Sequence, residues 1–261
     1  MAISGTTPAE YDNQVMGYVW YSEGSLNGGD PDFSQLKERL QSSNTDMLIV
    51  SSLERLKTVL GNTEIVQLLK DNGVWMIGLN FEGPQHTPKE DRESLAFSDE
   101  RNAAIQAIRL ASEQGFTVML GTMYGDITTV IIDGEEKVGP IVRGDTIEAM
   151  ARAGLGGVVF QLQNQLDRDV VPEIAAIIKR FTAVNPNMLF VVQIRPDNWQ
   201  NEGQKQEFLR ILKEVHEQTG AVLIVAVWNM SEIPEQMLLE LQSSSEAIQG
   251  VRESSGENPS Q

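Results

Sequence analysis

Residues Val74 to Glu82 read Val-Trp-Met-Ile-Gly-Leu-Asn-Phe-Glu and close on an amide and a carboxylate two positions apart. In a β-strand alternate side chains share a face. Met76, Gly78, Asn80 and Glu82 therefore point one way, and Ile77, Leu79 and Phe81 the other. The apolar set suits packing under helices. A carboxylate at an interior strand end is dehydrated, which raises its pKa and suits a general acid. An adjacent amide can orient a substrate group, and Gly78 is expected to leave space beneath the pair. The non-catalytic alternative makes Glu82 a structural carboxylate paired with Arg143 or Arg195.

Other strand-like runs end in comparable chemistry. Trp20, Tyr21 and Glu23 close the first, and Tyr124 and Asp126 follow another. Gln161, Gln163 and Asn164 come next, then Gln193, Arg195, Asp197 and Trp199, and finally Trp228 and Asn229. Three of the four tryptophans thus fall at or just past strand C-termini. Flat aromatic faces with side-chain amides and carboxylates suit a sugar, whose C–H faces stack on rings and whose hydroxyls pair with planar donors and acceptors. Arg195 could instead attract a small anionic ligand, or form a local loop pair with Asp197. His86 reads as a solvated loop residue, and the scattered methionines as core filling.

The elements that must position these residues alternate. Apolar runs at Val15–Tyr21, Met47–Val50, Val74–Phe81, Phe116–Met123, Gly157–Leu162, Met188–Ile194 and Ala221–Trp228 are separated by helical patterns. Those helices fall near Asp32–Gln41, Asp99–Glu113, Thr146–Arg152, Val171–Ala183, Gly203–Gln218 and Pro234–Ile248. Continuous apolar runs in β-then-α order imply a parallel sheet covered by helices. The fold class expected is α/β, a single-domain (β/α)8 TIM barrel over 15–250. A 1–14 N-terminal segment precedes it and a 251–261 disordered tail follows. Seven runs are one short of closure. The eighth candidate is Leu56–Leu60, third in order, although its periodicity is helical. Ile127–Val142 reads as a β-hairpin insertion after the fifth strand. A doubly wound sheet is the competing architecture, but the loop after the first strand lacks the glycine spacing of a phosphate loop.

Composition narrows the chemistry. The 261 residues carry 20 Lys+Arg against 37 Asp+Glu, a formal charge of −17, and no cysteine. That charge argues against nucleic acid and anionic membranes as partners. Without cysteine there is no disulfide, thiolate metal site or thiol nucleophile. With only His86 and His216 besides, neither a metal nor a cofactor is expected. A 41% hydrophobic content supports a real core. No apolar run approaches the roughly 18 to 20 residues of a membrane span. The polar N-terminus lacks signal-peptide architecture, so the expected location is cytoplasmic, or secreted if a leader has been removed. The partner expected is a carbohydrate or small polar ligand, with the oligomeric state open.

Leu69 to Pro84 resembles the fourth-strand signature of glycoside hydrolase family 18, the chitinases and their relatives. The spacing from Gly73 to Glu82 fits without a gap. Met16–Trp20 looks like that family's first strand, Lys57–Gly61 like a shortened third, Gly157–Leu162 like the sixth and Val225–Met230 like the last. The three aspartates of the signature are replaced by Trp75, Gly78 and Asn80, and only Glu82 survives. The resemblance implies a substrate-assisted mechanism on N-acetylglucosamine-containing glycans, with Glu82 as acid and the substrate acetamido group as nucleophile. It makes Trp228 the sugar platform; the strand-end reading adds Trp20, Tyr124, Gln161, Gln163, Asn229 and Arg195 as further contacts. Asn80-Phe81-Glu82 is similar to the Asn-x-Glu pair of family 85 endo-β-N-acetylglucosaminidases, which implies activity. The lost aspartates are similar to those of inactive chitinase-like lectins and seed narbonin, which implies a binding or storage protein.

Overall fold

The structure, a computed structural model, describes residues 18–20, 33–42, 45–81, 87–123, 144–167, 169–227 and 235–249. Strands and helices alternate along them. β1 (Tyr18–Trp20) leads to α1 (Phe33–Ser42), and β2 (Met47–Val50) to α2 (Leu53–Gly61) and α3 (Thr63–Asp71). β3 (Met76–Asn80) is followed by α4 (Lys89–Ser94) and α5 (Ala103–Glu113), then β4 (Thr117–Met123) and α6 (Gly144–Ala153). β5 (Gly157–Gln161) and α7 (Val171–Val184) precede β6 (Leu189–Ile194), which runs into α8 (Pro196–Gln200) and α9 (Glu202–Thr219). β7 (Leu223–Val227) and α10 (Glu235–Gln249) complete the described chain.

Local chemistry sets these boundaries. Asn102 caps α5 by accepting from the Ala104 and Ile105 amides at 2.8 and 3.3 Å, and Asn62 caps α3 in the same way. Gly220 ends α9 in the left-handed conformation (φ 70°), and its N–H donates to the His216 carbonyl at 2.8 Å. The strands that follow such stops are short, apolar and buried throughout, as in MLIV and LIVAV.

All strand pairs are parallel, and the order is β1-β2-β3-β4-β5-β6-β7. Strictly sequential order has no point at which the winding reverses, so the doubly wound alternative is excluded. The packing agrees. One face of the sheet meets the helices in a continuous core containing Leu48, Ile77, Leu120, Phe160, Phe190 and Val225. The other holds strand residues packed on one another: Met47, Ile49, Met76, Met119, Val159, Leu189, Val191, Ile224 and Ala226, with Trp75 alongside. A sheet with helices on one face and its own side chains on the other is barrel-like.

Two expectations change. Leu56–Leu60 is not a strand but the middle of α2. Ser52 Oγ accepts from the Arg55 amide at 3.2 Å, and Leu53, Leu56 and Val59 are buried one helical turn apart. The described residues therefore supply seven strands, not eight. β1 and β7 are not paired among them. The hairpin expected at 127–142, the 1–14 segment and the 251–261 tail lie outside the described residues.

Candidate functional site

The inner face changes character along the strands. At their N-terminal ends it is methionine and aliphatic; at their C-terminal ends it is amide. Asn80 closes β3 at 2% exposure, Gln161 closes β5 at 8%, and Gln193 stands near the end of β6 at 1%. Register explains their meeting. Gln161 pairs with Gln193 and Gln193 with Ala226, while Asn80 pairs with Gly121 on β4. Gly121 puts no side chain between β3 and β5. The Gln161 amide therefore reaches across β4, and its Nε2 donates to Asn80 Oδ1 at 3.0 Å. The bond joins residues 81 positions apart in a fully buried setting.

Loops beyond the strand ends extend this polar layer. Asn198 is buried in α8. Its Oδ1 accepts from the Arg195 amide at 2.8 Å, and its Nδ2 donates to the Gln163 carbonyl at 3.2 Å and to Gln204 Oε1 at 2.9 Å. This fastens the segment after β6 to the one after β5. Two buried side-chain atoms in this region make no hydrogen bond among the described residues: Gln193 Nε2 and Gln163 Oε1. Buried polar atoms are nearly always paired, so such exceptions point to something that completes them.

A described acid on the rim is Asp91 of α4. Its Oδ2 accepts from the Leu53 amide at 2.8 Å, at the first turn of α2 just past the end of β2. Burial, the largest influence, holds its carboxyl above the ordinary range. The Leu53 hydrogen bond pulls it down, and Glu54 and Glu90 push it up against Lys57. Among the described residues no group of three or more His, Cys, Asp or Glu side chains could hold a metal ion. No described helix is long and apolar enough to cross a membrane.

The structure brings together Asn80 and Gln161, while Gln163 lies two residues past the end of β5 and its carbonyl accepts from Asn198. Arg195 is exposed on the rim, and of its two readings the local ion pair with Asp197 is absent among the described residues. Trp20 ends β1 in register with Ile49. Glu82, Tyr124, Trp228 and Asn229 lie outside the described residues. Gly78 leaves no space: a β-carbon there would lie 2.9 Å from Met47 Sδ and 3.1 Å from Ile49 Cγ1, so β2 already fills that volume. Trp199 is no sugar platform. It is 4% exposed, packs edge-on against Phe208 at 6.5 Å, and has Lys205 Nζ 4.6 Å from its ring centroid. Pro196 starts a short helix after β6, and this carries the indole into the helix layer. Gln193 is the residue that sequence reasoning passed over as a contact. Its signal was an amide at an inward position of the otherwise apolar strand Leu-Phe-Val-Val-Gln-Ile.

A cavity of about 460 Å³ opens at the opposite end of the sheet, lined by Met188, Leu189, Phe190, Val222 and Ile224 among others. Its Thr182 and Thr219 hydroxyls donate to their own helices, at 2.8 Å to Ile178 O and 2.7 Å to Val215 O. It offers none of the unsatisfied amide chemistry of the C-terminal end.

No family model matches the chain, and no curated protein matches it in sequence. Among solved structures it is similar to a xylanase from Paenibacillus barcinonensis complexed with a conduramine derivative. The identity is 11%, over 82% of this chain and 69% of that one, with a TM-score of 0.47. It is also similar to D-psicose 3-epimerase with D-tagatose from Clostridium cellulolyticum H10 (12%, 90% and 99%, TM-score 0.42). A third is a β-1,4-D-mannanase from Cryptopygus antarcticus (12%, 94% and 92%, TM-score 0.42). Likeness at this level says nothing about activity. The resemblance to families 18 and 85 is overturned. No family model of either kind matches. The supposed third strand is a helix, so the strand read as the fourth is the third of the described sheet. With that resemblance goes the acetamido-orienting role of Asn80, whose Oδ1 holds Gln161 instead.

Proposed function

We propose that this chain binds a neutral, hydroxyl-rich ligand at the C-terminal ends of its strands and acts on it as a glycoside hydrolase. The observation that supports this is the Asn80–Gln161 pair, buried on the inner face where barrels of this winding carry their sites. Side-chain amides both donate and accept, as sugar hydroxyls do, and burial fixes their orientation before the ligand arrives. In this reading Glu82, two residues beyond Asn80 in sequence, is the general acid. Trp228 is the sugar platform, and Trp20, Tyr124 and Asn229 border it; these roles rest on their strand-end positions in the sequence. Gln163 belongs to the rim beside Gln161.

The test is release of reducing ends from xylan, mannan and cello-oligosaccharides by wild type and Glu82→Gln. Removing a general acid costs about 10²- to 10⁴-fold in rate, so the variant is expected to fall by at least about 10²-fold. Equal rates in the two proteins remove the hydrolase assignment. A second reading, binding without turnover, is favoured by a specific observation. No described inner-face side chain of β2 to β7 is a carboxylate, whereas most glycoside hydrolases flank the scissile bond with two. Saturable binding of these oligosaccharides with no product would select it.

A further inference from the structure

The inner face carries a buried donor that the fold does not use. Gln193 is 1% exposed, and its Nε2 makes no hydrogen bond among the described residues. Its backbone is engaged, since β6 pairs with β5 and β7, and its carbonyl accepts from the Leu162 amide at 2.9 Å. Its side-chain neighbours on the adjacent strands do not complete it. Gln161, beside it on β5, has turned toward Asn80. Ala226, beside it on β7, has no polar atom in its side chain. Further round, Gly121 brings no side chain, and a β-carbon there would be in ordinary contact, 3.6 Å from the Leu79 carbonyl oxygen. The donor therefore borders a region framed by two other amides and two small residues. None of the buried inner-face side chains around it carries a charge.

We infer that Gln193 is the specificity-determining donor of this mouth: its Nε2 donates to a hydroxyl or ring oxygen of a neutral saccharide, and the amide floor selects that ligand over a carboxylate-bearing sugar. The inference rests on the carbohydrate reading above and narrows it. A carboxylate placed here would give up its hydration to neutral amides, with no buried cation among the described residues to replace it. A hydroxyl oxygen accepts from Gln193 Nε2 and can return its own hydrogen to a neighbouring amide oxygen. Arg195, exposed on the rim, offers its charge to solvent instead of to this floor.

The experiment compares wild type with Gln193→Met, which keeps the length of the side chain and removes the donor. Calorimetric titration uses xylotetraose, mannotetraose and cellotetraose as neutral probes and tetragalacturonate as the charged one. Thermal midpoints are recorded without ligand. Wild type is expected to bind at least one neutral probe more tightly than tetragalacturonate. Gln193→Met is expected to bind that probe about tenfold more weakly, at a midpoint equal to or above that of wild type, because it no longer buries an unpaired amide. Equal affinity in the two proteins overturns the role of Gln193 and leaves the carbohydrate reading standing. A lowered midpoint in the variant also overturns it, because the amide then has a structural partner such as a bound water. Tighter binding of tetragalacturonate by wild type overturns the selection of neutral ligands. If wild type binds no probe, the carbohydrate reading fails and this inference fails with it.

Discussion

The two faces of the sheet are built from the same strands and obey different rules. The outer face meets the helices and is apolar from end to end. Its large side chains interlock, as where Phe160 and Phe190 stack at 6.4 Å and 16° across β5 and β6. The inner face is apolar only toward the strand N-termini. There the flexible side chains of Met47, Met76 and Met119 fill irregular volume. Toward the C-termini it turns to Asn80, Gln161 and Gln193. Burial alone does not distinguish the faces, because both are buried. They differ in whether polar atoms are admitted, and on the inner face these are held by register and left partly unsatisfied. One face specifies the fold, and the proposed ligand site uses the polar end of the other.

The largest expected effect tests the outer face. Phe160→Ala removes a side chain that is 1% exposed and leaves a cavity between sheet and helices. A loss of about 3–5 kcal/mol is expected from such truncations, read as a shift of the urea midpoint at unchanged slope. A loss below about 1 kcal/mol would mean that the helix layer collapses into the gap and that the outer face is less tightly specified than its packing implies.

Two glycines sharpen the contrast within the inner face. Gly78 lies among the methionines, and an alanine there meets Met47 Sδ at 2.9 Å. Because the obstacle is a flexible side chain, a cost of about 1–3 kcal/mol is expected. Gly121 lies among the amides, where the nearest atom to a new β-carbon is the Leu79 carbonyl oxygen at 3.6 Å. Gly121→Ala is expected to be neutral or stabilising by up to about 1 kcal/mol through the unfolded chain. Denaturation of the two variants side by side decides the point. Equal costs would show that the amide end is packed as tightly as the methionine end, leaving no room for a ligand.

Legibility in the sequence follows the same division. The outer face announced itself, because unbroken apolar runs such as MLIV and helix stops such as Asn72-Gly73 are local signals. Gly73 and Gly115 do take positive φ, at 78° and 81°. The assignment of Met76 and Asn80 to one face and Ile77 and Leu79 to the other also followed from alternation alone, and the two cores divide those residues accordingly. Cross-strand information did not follow. That Gly78 faces Met47, that Gln161 reaches Asn80, and that Gln193 stands between Gln161 and Ala226 depend on register, which no single segment encodes. Leu56–Leu60 shows the converse error. Its own period was helical, but the count of seven runs, one short of closure, and the likeness of Lys57–Gly61 to a shortened third strand drew it toward a strand. Trp199 was misplaced because position after a strand was taken for direction, while a proline two residues past the strand turns the chain into a helix.

The smallest expected effect concerns the charge that the outer layer does admit. Asp91 sits where α4 meets the first turn of α2, half-buried, with Glu54 and Glu90 near it and Lys57 in opposition. A helix N-terminus ordinarily favours a carboxylate, and the Leu53 amide does donate to it at 2.8 Å. Burial nevertheless outweighs that attraction, and the folded protein holds this proton above the ordinary value of 3.8. The sign of the pH dependence follows. Across the interval from 3.8 up to the raised folded value, the folded state binds more protons than the unfolded state, so stability falls as pH rises. Asp91→Asn keeps an acceptor for Leu53 and cannot ionise. The variant should match wild type in acid, where Asp91 is neutral in both states, and should become the more stable of the two as pH rises to neutrality. Urea midpoints measured across that range check it. A gap opening the other way, with wild type ahead at neutral pH, would show that the α2 terminus and Lys57 stabilise the ionised carboxylate after all. The apolar outer layer would then carry a favourable charge at the very rim of a mouth whose buried floor carries none.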